Sequence, residues 1–184
     1  MKKHLLMAFA LLAATVSMAQ DRYFTKSGKI SFFSKSSLEN IEAHNKSVTC
    51  VLDTKTGNLQ FAVLMKGFEF EKALMQEHFN ENYVESHKFP KAEFKGQVVN
   101  NAAVNYTKDG SYPVVVKGTL TLHGVTRLVE TQGTIIVKSG KIEADASFNV
   151  LLADYSITVP NLVKDNISKS ININVDCSLE VLKS

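Results

Sequence analysis

From Ile171 to Val181 the chain alternates apolar and polar side chains without a break: Ile171, Ile173, Val175, Cys177, Leu179 and Val181 are separated by Asn172, Asn174, Asp176, Ser178 and Glu180. A period of two is what a strand with one buried and one wet face requires. A helix would scatter the same apolar residues around its circumference. The alternation recurs in Leu59, Phe61, Val63 and Met65, in Ala92, Phe94, Gly96 and Val98, in Val114, Val116, Gly118, Leu120 and Leu122, and in Ile142, Ala144, Ala146, Phe148 and Val150. One-sided burial repeated this often marks antiparallel sheet.

Between the runs lie turn signals: Lys55-Thr56-Gly57-Asn58, Lys108-Asp109-Gly110, His123-Gly124 and Ser139-Gly140. Each supplies a residue that tolerates positive φ, so consecutive strands follow one another as a meander. Strands are expected near 22–34, 47–53, 58–70, 91–105, 112–122, 126–138, 141–152 and 170–182, an all-β chain whose eight strands suit a closed antiparallel barrel. Glu71 to Phe79 is rich in helix formers and is expected as one short helix over the barrel. Asp154 to Ser168 contains Pro160, lacks a clean period and reads as a loop with a helical turn.

The chain opens with Lys2 and Lys3, an apolar run from Leu5 to Val16, then Ser17-Met18-Ala19. This is the order of a secretory signal peptide, expected to be cleaved after Ala19. The apolar run is shorter than the roughly 20 residues needed to span a bilayer, so stable membrane insertion is not expected. Residue 20 is Gln rather than the Cys that lipid attachment needs. Of 184 residues, 184 − 19 leaves 165 for a single domain over 20–184 that is periplasmic or secreted. A formal charge of +3, part of it in the leader, gives no field to recruit nucleic acid. Cys50 and Cys177 both fall on the apolar phase of their strands. Outside the cytoplasm they would either form a disulfide, worth about 4–5 kcal/mol in the chain-entropy picture, or stay as two buried thiols.

Residues that carry chemistry are sparse. His78, His87 and His123 have no ligand-type spacing, so neither a metal nor another cofactor is expected. No Gly-x-Ser-x-Gly element occurs, and Glu143 and Asp145 lie on the outward phase, so no catalytic residue is assigned. Inward-phase Gly96, Gly118, Gly133, Ala144 and Ala146 alternate with Phe61, Phe94 and Phe148. That mixture fits either a slot for a ligand or taper-filling of a packed core.

Phe68 to Gly96, with its Phe-Glu-Phe-Glu-Lys start and Phe89-Pro90-Lys91-Ala92-Glu93-Phe94 end, resembles the central signature of the YceI-like family of exported, lipocalin-like, polyisoprenoid-binding barrels. Val116 to Thr126, containing Leu122-His123-Gly124-Val125-Thr126, is similar to its second signature, and Phe148-Asn149-Val150 through Asp154-Tyr155-Ser156-Ile157 to its third. Ser36 to Lys46 departs, being polar where members often carry a Gly-rich second strand. The resemblance implies a lipocalin-like barrel that holds an isoprenoid or lipid-like tail without chemistry. Strand phase and apolar character then nominate Phe61, Val63, Phe94, Val98, Leu120, Leu122, Phe148 and Val150 as wall residues. His78, His123 and Tyr155 are candidates to fix a headgroup at the mouth. A homodimer is compatible with this reading. The alternatives are a structural or interaction barrel with a packed interior, and an enzyme that isomerises or hydrolyses a small lipid.

Overall fold

The computed structural model describes residues 21–182. The leader expected over residues 1–19 lies outside them. In chain order the elements are β1 (Arg22–Lys35), β2 (Asn40–Asp53), β3 (Asn58–Leu64), β4 (Glu69–Phe70), α1 (Ala73–His78), β5 (Lys91–Val98), β6 (Gly110–Leu122), β7 (Val125–Lys138), β8 (Lys141–Leu151) and β9 (Ser170–Val181). Neighbours pair antiparallel in the order β1-β9-β8-β7-β6-β5-β3-β2, and a β1–β2 ladder closes the ring. The result is an eight-stranded antiparallel barrel with one short helix, as the alternation predicted.

Two hairpins turn through two residues each. His123-Gly124 (φ 51° and 74°) joins β6 to β7, and Ser139-Gly140 (φ 51° and 78°) joins β7 to β8. Positive φ at both central positions matches the right-handed twist of the flanking strands. Gly124 is held to glycine a second way, since a Cβ there would lie 2.5 Å from the Phe89 ring.

Four expected elements differ in their bounds. Strand β2 begins at Asn40 rather than near residue 47. Its buried positions are Ala43 and Asn45 and then Val48, Cys50 and Leu52, so the inward phase changes from odd to even. The register explains the change: Ile30 pairs with Asn45 and Gly28 with Val48, which leaves one extra residue in β2. Such a bulge hides a strand from any search for strict alternation. Asn45, polar and fully buried, hides it further; its Nδ2 donates to the Leu64 carbonyl at 2.9 Å and its Oδ1 accepts from the Ser47 N–H at 2.9 Å.

The strand expected over 58–70 is one lane broken by a single helical turn at Met65–Gly67, after which β4 resumes pairing with Ala43 and His44 of β2. The strand expected to reach residue 105 ends at Val98, followed by another such turn at Asn101–Ala103. Helix α1 is shorter than expected and runs into a wider turn over Phe79–Tyr83, closed by the Val84 N–H donating to the Phe79 carbonyl at 3.0 Å.

The two ends of the barrel differ. The base carries the β2–β3, β5–β6 and β7–β8 connections, and the crown carries the β1–β2 tip, α1, the His123-Gly124 turn and the β8–β9 connection. Leu52, Val98, Ile142, Leu179, Cys50 and Cys177 pack the base and are at most 1% exposed. Both cysteines are free thiols. A hydrogen bond with Cys177 and burial push the Cys50 thiol well above its ordinary range.

Candidate functional site

Above the packed base the barrel is hollow. A cavity of about 350 Å³ is lined by inward-facing side chains from every lane of the wall and by α1, within the range of small-ligand sites. Phe61, Phe94, Leu120, Leu122 and Phe148 point inward yet remain only half-buried. A filled core would leave such side chains dry, as it does Leu179 and Ile142 below them.

All eight wall residues nominated from strand phase line this cavity. Val63 and Val150 are buried in its sides, and Val98, at 1% exposure, belongs to its floor. Phe61 and Phe94 are direct cross-strand partners, ring edge toward ring face with centroids 6.3 Å apart. The small inward residues divide into two groups. Gly96 and Gly118 face each other across β5 and β6, and a Cβ on either would come within 2.6 Å of the Phe94 ring. They seat that ring and open no slot. Gly133, Ala144 and Ala146 line the cavity itself.

At the crown the apolar lining continues into a cluster that strand phase did not nominate. The rings of Phe32, Phe68, Phe70 and Phe79 lie with centroids 5.1–5.7 Å apart, a spacing at which aromatic pairs attract beyond their buried area. Phe68 and Phe70 enter through the break in the β3 lane. Phe79 follows α1, whose Met75 and His78 also line the cavity while Leu74 stays 60% exposed.

Polar groups gather at the same rim. Glu39 lines the cavity and accepts from Lys72 Nζ at 3.2 Å and from Asn166 Nδ2 at 3.4 Å. The Ser34 hydroxyl oxygen accepts from the Ser168 N–H at 2.9 Å. His78, exposed on α1, stands among them. Glu39 and Asn166 lie in stretches without period, so no sequence signal singled them out.

His123 and Tyr155, expected at the mouth, are placed elsewhere: neither is among the lining residues. The His123 ring packs against Phe89 with centroids 4.7 Å apart. Its Nδ1 lies 3.0 Å from the Tyr155 carbonyl, which can only accept, so that nitrogen carries a proton. Its Nε2 lies 2.9 Å from Glu85 Oε2. Glu85 also accepts from Lys88 Nζ at 2.5 Å, and that bond, with the one to His123, holds its carboxyl below the usual carboxylate range. The group ties the 85–89 loop, the β6–β7 turn and the β8–β9 connection together. Tyr155 is 2% exposed, and burial pushes its hydroxyl up.

The model of one protein family, the YceI-like domain, matches residues 12–179. Among solved structures, the chain is similar to a polyisoprenoid binding domain from Saccharophagus degradans (TM-score 0.76, 17% identity, 88% of this chain and 99% of that one). It is similar also to BcnA of Burkholderia cenocepacia (TM-score 0.66, 16% identity, 83% and 95%) and to a YceI protein of Campylobacter jejuni (TM-score 0.62, 17% identity, 82% and 90%). At these identities the likeness is one of fold. Among curated protein sequences no relative is found.

Proposed function

Because the chain belongs to the YceI-like domain family, we propose that it is a binding protein that takes a polyisoprenoid or similar lipid tail into its barrel and performs no chemistry on it. The observation that carries this reading is the half-buried state of Phe61, Phe94, Leu120, Leu122 and Phe148 around an apolar cavity. Each methylene group moved from water onto such a wall contributes about 0.8 kcal/mol. A few isoprene units therefore supply enough free energy for retention without a covalent bond. The resemblance in fold to a protein described as a polyisoprenoid binding domain supports the choice of tail.

The rim at α1 is where a headgroup belongs. His78 can donate or accept there, and Glu39 and Asn166 add a carboxylate and an amide. In this reading the leader over residues 1–19 directs export, and the mature barrel carries or stores its ligand in the periplasm or outside the cell. The cavity weighs against the packed-interior alternative.

Native mass spectrometry of gently purified protein tests the proposal. A hydrophobic adduct that disappears on organic extraction is expected. A clean unliganded mass after expression in a lipid-rich host, with no hydrophobic compound in the extract, would contradict it.

A further inference from the structure

We infer that the whole ligand, whose headgroup comes to rest at the α1 rim, enters and leaves the barrel through a window in the wall between β7 and β8, rather than lengthwise through the crown. The inference rests on the binding reading above. Its first support is an interrupted ladder. β6 pairs with β7 from Gly110 to Leu122, and β8 pairs with β9 from Ile142 to Leu151. The β7–β8 ladder runs only from Lys138↔Lys141 to Gly133↔Ala146. Above that pair, among the described residues, Val125–Gln132 and Ser147–Leu151 share no ladder pairs. A side-chain bond, Thr131 Oγ1 donating to the Ser147 carbonyl at 3.3 Å, stands at the lower edge of the gap.

The second support is that the cavity reaches both flanks of the gap. Val129 and Thr131 line it from β7, and Phe148 and Val150 line it from β8. On the outer surface, continuing the Gly133↔Ala146 register would set Gln132 opposite Ser147 and Leu128 opposite Leu151. Those two leucines are 86% and 49% exposed. They flank the gap from outside, where an arriving apolar chain would meet them first.

The third support is the state of the alternative routes. The base is closed by side chains at most 1% exposed, including Leu52 and Ile142. The crown is roofed by the four-phenylalanine cluster and tied by the bonds of Glu39 and Ser34. The window's upper border is a short strap, Leu152–Ile157, held to β7 by Arg127 Nε donating to the Asp154 carbonyl at 2.9 Å and to the turn by His123. Opening there breaks no ladder, though it shifts the strap's Tyr155 and Ile157 against Val150 and Ile171, with which they pack.

The test bridges the window. Gln132→Cys and Ser147→Cys place two thiols on its outer face, where a short bismaleimide links them; Cys50 and Cys177, both 0% exposed, are out of its reach. The same bridge at Lys117→Cys and Glu130→Cys, across the fully paired β6–β7 seam, is the control. The probe is retinol, a fluorescent isoprenoid alcohol, followed by stopped flow. Bridging the window should slow retinol association and dissociation at least about tenfold while leaving Kd within about twofold, and the control bridge should change neither. Arg127→Gln, which releases the strap without any crosslink, should speed both by about threefold or more. Unchanged rates in the bridged and the Arg127→Gln proteins would overturn the route while leaving the binding reading intact. Failure of the unmodified protein to bind retinol would overturn both.

Discussion

Leu179→Ala and Leu120→Ala remove the same atoms from two parts of the barrel, and their difference measures whether the upper half is hollow. Leu179 is fully buried in the base among Leu52, Val98 and Ile142 and does not border the cavity. Truncating such a leucine leaves a void that its neighbours only partly fill, at a cost of about 3 kcal/mol. For a chain of this size each kcal/mol moves Tm by about 2–4 °C, so a fall of about 6–12 °C is expected. Leu120 is half-buried and already borders open space. Its truncation forfeits contacts on one side only, about 1 kcal/mol or about 2–4 °C. The assay is calorimetric melting of protein stripped of lipid by extraction of the unfolded chain and then refolded. With retinol about a hundredfold above Kd, the parent should gain about 2.7 kcal/mol. Leu179→Ala should keep that increment and Leu120→Ala should lose part of it. Equal losses near 3 kcal/mol in the stripped proteins would refute the hollow-barrel reasoning.

Further outcomes follow from particular contacts. Gly118→Ala should destabilise by about 1–3 kcal/mol in urea melts with or without ligand, because the new Cβ would lie 2.5 Å from both the Gly96 Cα and the Lys95 carbonyl oxygen. Neutral behaviour would contradict that crowding. The Glu85 carboxyl is held below its ordinary range by Lys88 and His123, so its contribution is present above the usual carboxylate range and is lost as pH falls through the lowered folded value. Glu85→Gln should therefore lower Tm near neutrality and flatten the acid limb of the Tm profile; an unchanged profile would count against the network. Cys50 and Cys177, buried as free thiols, should resist a thiol-specific disulfide reagent in the folded protein and react after unfolding. Prompt reaction of the native protein would contradict their burial.

Most of the wall was legible because a strand advertises its buried face every second residue. Phe61, Phe94, Leu120 and Phe148 needed no more than that period to be placed inside. The logic failed where the backbone changes phase. The bulge at Lys46 and Ser47 flips the inward positions of β2, and buried Asn45 reads as a surface residue until its bonds to Leu64 and Ser47 are seen. Glycine was ambiguous in principle, since Gly118 and Gly133 look alike in sequence yet one seats the Phe94 ring and the other lines the cavity. The His123–Glu85 pair joins residues 38 apart in sequence, with no pattern linking them. The break between β7 and β8 was invisible for the opposite reason. β8 keeps apolar inward positions at Phe148 and Val150 past the point where the ladder ends, β7 mixes Val129 with Thr131 there, and side-chain period carries no record of which backbone groups pair.

If apolar space within the barrel is completed by an apolar chain, a chain-length series of straight-chain alcohols shows it most directly. From octanol upward through decanol, dodecanol and hexadecanol, the binding free energy measured by titration calorimetry should strengthen by up to about 0.8 kcal/mol per methylene and then level off once the cavity of about 350 Å³ is filled. The heat capacity change should be negative and grow along the rising part. Weak affinity that does not depend on chain length would contradict the claim.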